Sequence, residues 1–151
     1  MTENKINLVS YEHLNFVTLP LTTGKKDNLR VPLRSGLNWG QRPGRNQDQA
    51  YIGIPSDVQK SKFFPDTGTP FNVTCDDGFE MLCVRAQQNG KALHSCNNNA
   101  VIGLYFRERL GLASGRPVML HHLYRYGRLS LDIYKYSNEK YYLDFSPKMG
   151  E

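Results

Sequence analysis

The sequence has no apolar run approaching the ~20 residues that a bilayer-spanning helix requires. Met1 to Ser10 lacks the profile of a secretory leader, so the expectation is a cytoplasmic protein with no membrane partner. Cysteine is scarce: Cys75, Cys83 and Cys96 are odd in number and form no CxxC pair. That usage speaks against a disulfide framework, and reduced structural thiols are expected. Internal repeats and low-complexity tracts are absent. At 151 residues the chain has the length of one ordinary domain. Its organisation reads as an N-terminal extension or linker over 1–15, a domain over 16–147 and a short tail over 148–151.

Catalytic signatures are missing as well. His13, His94, His121 and His122 show no metal-ligand spacing, and the adjacent His121 and His122 should point in divergent directions. His94, Cys96 and the Asn97-Asn98-Asn99 run match an HNH nuclease only in part, because no second metal-binding His follows. Tyr51-Ile52-Gly53 supplies half of a GIY-YIG motif, and Pro65-Asp66 with Glu80 lacks the Lys of a PD-(D/E)xK site. The HxK pattern of phospholipase-D-like nucleases is absent, and so is a nucleophile elbow. No catalytic residue, metal or cofactor is expected.

What is present is positive charge in one place. The formal net charge is +5, and Lys25, Lys26, Arg30, Arg34, Arg42 and Arg45 fall in a stretch whose acids are Asp27 and Asp48. A basic excess so placed suits a polyanionic partner. The acids gather elsewhere, at Asp76, Asp77 and Glu80.

Short strand-like runs separated by turn signals predict a mainly β domain with one or two helices. Strands are expected at Phe16 to Leu21, Ala50 to Ile54, Phe71 to Cys75, Phe79 to Arg85, Leu129 to Tyr136 and Tyr141 to Phe145. Asp77-Gly78 reads as a two-residue hairpin turn placing Cys75 opposite Glu80, and Asn89-Gly90 reads as a second turn. Pro55-Ser56 opens a short helix through Phe63-Phe64. Val101, Leu104, Tyr105 and Leu110 outline the main helix, capped by an Asn of 97–99 and ended by Gly111. A helical turn at His121 to Tyr126 stops at Gly127. About seven strands with one main helix suggest a small barrel.

Two segments carry the functional signal. Arg34 to Gln49 reads RSGLNWGQRPGRNQDQ, and Arg85 to Asn99 reads RAQQNGKALHSCNNN. Arg pairs bidentately with guanine, and Asn and Gln pair with adenine, so these side chains match base edges. Glycine lets the backbone approach a duplex closely. Either segment taken singly has a plain reading as a solvated loop. Two such segments in one small basic domain favour recognition. Trp39 serves chiefly to anchor its arm. Arg107 and Arg109, flanking Glu108, read as a solvated helix face.

The runs LRSGLNWGQRPGRNQDQAYIGIP (Leu33 to Pro55), KSKFFP (Lys60 to Pro65), VRAQQNGKAL (Val84 to Leu93) and YFRERLGLASG (Tyr105 to Gly115) resemble the C-terminal B3-like domain of NgoFVII- and NgoAVII-type restriction endonucleases. The closing YGRLSLDIYKY and YYLDFS fit the same family, so the resemblance spans about Val17 to Ser146. It implies a seven-stranded B3-like DNA-binding pseudobarrel, bacterial and monomeric, whose N-arm and C-arm grip the major groove of double-stranded DNA. It also implies a hydrolase partner: the nuclease domain of the same restriction-modification enzyme, phospholipase-D-like and separate from this domain.

The expected contacts are then Arg34, Asn38, Trp39, Gln41, Arg42, Arg45, Asn46, Asp48 and Gln49 from the N-arm. Arg85, Gln87, Gln88, Asn89, Lys91, His94, Asn97 and Asn98 would act from the C-arm, and Lys25, Lys26, Lys60 and Lys62 would hold phosphates. Two alternatives stand beside this reading: a barrel that binds RNA or single strands, and a stand-alone nuclease with an unrecognised site.

Overall fold

The computed structural model describes residues 14–87 and 90–148. Gln88, Asn89 and most of the expected extension and tail therefore lie outside the described residues. Among the described residues there are seven strands: β1 (Phe16–Pro20), β2 (Ile52–Gly53), β3 (Phe71–Cys75), β4 (Glu80–Ala86), β5 (Ala92–Ser95), β6 (Ser130–Lys135) and β7 (Lys140–Asp144). They form one sheet in the order β1-β6-β7-β3-β4-β5-β2. Every pairing is antiparallel except β3 with β7. The edge strands β1 and β2 lie alongside each other, so the sheet nearly closes into the expected pseudobarrel. Three short helices complete it: α1 (Ser56–Lys60), α2 (Ala100–Arg109) and α3 (Leu120–Tyr126).

Period-two patterning explains the strands. In β3, Phe71, Val73 and Cys75 turn inward while Asn72 and Thr74 turn out. The barrel interior is filled by Leu19, Ile52, Val73, Leu93, Leu131, Ile133 and Leu143, all essentially inaccessible to water. Phe63, Phe64, Phe71 and Tyr141 close one end with ring centroids 4.8 to 5.7 Å apart. All three cysteines are free thiols, and burial pushes Cys75 up to about 12.

Several expected details are corrected. The strand expected over Ala50 to Ile54 shortens to Ile52–Gly53, because the Ala50 and Tyr51 amides donate instead to Asn99 and Gly36. Helix α1 ends at Lys60, and Lys62 adopts a φ of +64°, which redirects Phe63 and Phe64 into the core.

The β3–β4 loop has three residues, not two. Gly78 sits at φ +93° and the Cys75 amide donates to Phe79 at 2.8 Å, which shifts the register by one from the predicted pairing. The last β4–β5 pair is Ala86 with Ala92, and the Gly90 amide donates to the Gln87 carbonyl at 2.9 Å; Asn89 of the expected Asn89-Gly90 turn lies outside the described residues.

Helix α2 also departs from expectation. Its N-cap position is Asn99, and the Asn98 side chain just before it accepts from the Ala100 amide at 3.0 Å. Its buried residues are Ala100, Ile102, Gly103, Tyr105, Phe106 and Arg107, while Val101 faces water. The helix is covered on two sides, by the barrel and by the loop before β2, so a single apolar stripe does not describe it.

Candidate nucleic-acid interface

The N-arm lies between β1 and β2 and is built on two 3-10 turns that meet at a kink at Asn38 within Gly36–Gln41. Its base is stitched by Tyr51 donating to Gly36 at 3.2 Å and Gly40 donating to Gln49 at 2.8 Å. Any Cβ at Gly40 would collide with the Asn46 carbonyl, so glycine is required there. A turn at Arg42–Arg45, with Gly44 at φ +81°, forms the tip.

The arm is held from behind by a buried polar cluster. Asn38 is fully buried, and its amide donates to the Pro32 and Val118 carbonyls at 2.8 Å each while its oxygen accepts from the Val118 amide. Asp48 is likewise buried; it accepts from the Gly115 amide at 2.7 Å and from the Ser114 hydroxyl. Between them lies Arg107, with no accessible surface, donating to Leu37, Gly103 and Arg116 carbonyls and 3.5 Å from Asp48. Burial lowers the Arg107 pKa and the Asp48 carboxylate raises it in part.

This cluster corrects two expectations. Asn38 is fully buried and Asp48 nearly so, and both spend their polar atoms on the protein's own framework. Arg107 is the opposite of a solvated residue. Arg109 is also engaged: it makes two bonds to Asp76, at 3.1 and 2.8 Å, and one to the Tyr126 hydroxyl at 2.7 Å. Sequence reasoning missed Arg107 because a lone Arg on a helix is usually solvated. Its only signal was a position one turn beyond Gly103, whose Cβ would overlap the Asp48 carbonyl.

With Asp48 neutralised inside, the arm turns only positive charge outward. Arg34, Arg42 and Arg45 are exposed, and among the described residues none of them makes an ion pair. Arg42 donates to the Arg34 carbonyl at 3.0 Å. Arg45 stacks on Trp39, its guanidinium 3.8 Å from the ring centre, and donates to Gln49 at 3.2 Å. Trp39 is half-buried and meets Tyr51 edge-on at 6.5 Å, so it anchors the arm and orders Arg45 together. Gln41 is turned inward, donating to Gln47 and Gly115, and Asn46 accepts from the Asp48 amide.

The C-arm is the tip of the β4–β5 hairpin. Arg85 braces its base rather than projecting: it donates to Gln59 at 3.2 Å and Thr67 at 3.4 Å, and its Nε is buried without a hydrogen bond. Gly90, at φ +64°, packs where a Cβ would come within 2.9 Å of the Arg85 guanidinium carbon. Gln87 and Lys91 are exposed at the tip. Gln88 and Asn89, expected there too, lie outside the described residues. His94 sits on the strand with Nδ1 2.9 Å from the Ser95 carbonyl oxygen, and Asn97 and Asn98 lie at the strand's far end, where the Asn98 side chain accepts from the Ala100 amide at the start of α2.

Between the arms is one open concavity of about 420 Å³. Ile52, Gly53 and Ile54 form its floor, Ser35, Gly36 and Leu37 one side, and Gln87 and Lys91 another. Thr22, Thr23 and Gln59 complete the rim, and none of these three was expected. Exposed Lys25 and Lys26 follow Thr23 in a 3-10 turn, and Lys60 follows Gln59. Lys62 does not join them; it lines a separate groove with Phe64, Leu82 and Asn138.

Such an arrangement, a concavity lined by Gln87 and Lys91 between two arms of a nearly closed seven-stranded sheet, is matched by sequence. Residues 10–137 match the family described as the NgoFVII C-terminal B3-like DNA-binding domain. The chain belongs to that family. No curated protein matches it. As a B3-like DNA-binding domain it takes DNA as its partner, and its link to a restriction endonuclease comes through the family's name. Among the described residues no helix is long and apolar enough to cross a membrane, and no three His, Cys, Asp or Glu side chains gather to hold a metal ion.

Proposed function

We propose that this domain reads a short sequence in the major groove of double-stranded DNA with its N-arm and C-arm, as the target-recognition domain of a restriction endonuclease. The observation that carries the reading is the concavity bounded by Ser35 and Gly36 of one arm and Gln87 and Lys91 of the other. A two-stranded ribbon such as β4–β5 fits the ~12 Å major groove, and the N-arm fits against its other wall. Arg34, Arg42, Arg45 and Gln87 are the exposed groups with base-reading geometry. Lys25, Lys26, Lys60 and Lys91 supply sequence-independent attraction to phosphates. Asn38, Asp48 and Arg85 act indirectly, holding the arms in position.

Selection of a random duplex library on the domain, followed by titration of the enriched duplex, tests this. Arg42→Ala should lose about 1–3 kcal/mol and relax the preference at one position. Lys91→Ala should weaken all sequences alike and lower the salt slope by about 1. Single-stranded DNA should compete poorly, because among the described residues of the arms the stacking platform that unpaired bases require is Trp39, already covered by Arg45. No enrichment, or equal affinity for single strands, would sink the proposal.

A further inference from the structure

From Arg109 to Leu131 the chain carries no acidic residue. The arginines at either end of this stretch are engaged: Arg109 with Asp76, and Arg128 with Asp132 and Asp144. Arg116 and Arg125, between them, are exposed and form no ion pair among the described residues; Arg125 makes a 3.4 Å contact to the Leu110 carbonyl. His121 is exposed beside them, its ring 4.1 Å from that of His122. The two rings therefore lie together at the start of α3 rather than diverging. Burial lowers the His122 pKa, and His121, Arg125 and Arg116 each lower it further, as cations gathered around one point must.

Like charges held together in a fold cost free energy unless an anion joins them. The strip is moreover continuous with the N-arm. Arg116's carbonyl accepts from Arg107 at 2.8 Å, Gly115's carbonyl accepts from Gln41 at 3.3 Å, and Gly115 lies against the Gln47 side chain. None of the strip residues lines the concavity.

We infer that Arg116, His121 and Arg125 form a second contact surface for the phosphate backbone of the same duplex, flanking the segment read by the arms. The inference rests on the proposed DNA reading and extends its footprint beyond the bases contacted. Duplex phosphates are the occupant that fits, because the strip is cationic, lies next to an arm held to a groove, and offers exposed guanidinium and imidazole groups without an apolar hollow.

The test compares the parent domain with Arg116→Ala/Arg125→Ala on two duplexes. One carries only the enriched site; the other extends it by about one helical turn on each side. Both substituted side chains are exposed, and an unchanged melting temperature verifies the fold. On the long duplex the variant should bind about tenfold more weakly, with a salt slope smaller by about 2, since each phosphate contact contributes ~0.9. On the short duplex the two proteins should bind alike. Equal binding on both duplexes, as a strip serving a protein partner would give, overturns the inference and leaves the arms untouched. An equal loss on both overturns it too, by assigning the arginines to the arm-bound segment. Failure of the parent on the short duplex would instead strike at the proposed function.

Discussion

Replacing Arg107 by methionine removes the guanidinium at the back of the N-arm while keeping a similar volume. The side chain has no accessible surface and sits 3.5 Å from Asp48. Its removal leaves that carboxylate without its counter-charge and takes a donor from the carbonyls of Leu37, Gly103 and Arg116 and from the Asn38 oxygen, which keeps the Val118 amide. Removing one member of a buried pair costs about 3–5 kcal/mol, because the remaining charge is left uncompensated. At roughly 2–4 °C per kcal/mol for a domain of this size, the melting temperature should fall by roughly 6–20 °C. Adding Asp48→Asn should recover part of the loss, since the amide oxygen still accepts from Gly115 and the stranded charge is gone. Calorimetric melting of parent, both single variants and the double variant gives the coupling directly. A loss below about 1 kcal/mol in Arg107→Met, or strictly additive effects in the double variant, would refute this account of the arm's anchorage.

The same anchorage predicts that Gly103→Ala, whose new methyl would meet the Asp48 carbonyl, shifts the N-arm. Specific duplex binding should then fall more than non-specific binding, measured on enriched and scrambled duplexes at one salt concentration. His122 predicts a pH dependence. Its Nδ1 accepts from the Met119 amide, and burial with the neighbouring cations holds its pKa below the ordinary 6.5. The unfolded chain thus binds the proton more readily, so this contribution is complete above about pH 6.5 and is lost as pH falls from there through the lower folded-state value. Melting temperature followed from pH 7.5 to 5 should decline, and His122→Asn should flatten the decline. For Trp39→Ala, loss of the Arg45 stack should weaken duplex binding by about 0.5–1 kcal/mol; unchanged affinity would mean that Arg45 needs no such ordering.

Sequence alone determined the features set by short-range chemistry. Alternating apolar residues specified the strands, Gly78, Gly111 and Gly127 marked turns and helix ends, and the arms stood out by their Arg and amide side chains in a Gly-rich setting. Those signals are local, and so is the family pattern in which they recur. What only the tertiary structure decided is the fate of each polar side chain. Asn38 shares its amide chemistry with Gln87, and Arg107 its guanidinium with Arg42, yet the first of each pair is buried against Val118 and Asp48 while the second faces water. That division depends on partners 59 to 80 positions away in the chain, which no local pattern encodes. The polarity of a residue states that it must be hydrogen-bonded; folding decides whether the protein, or a ligand, provides the bond.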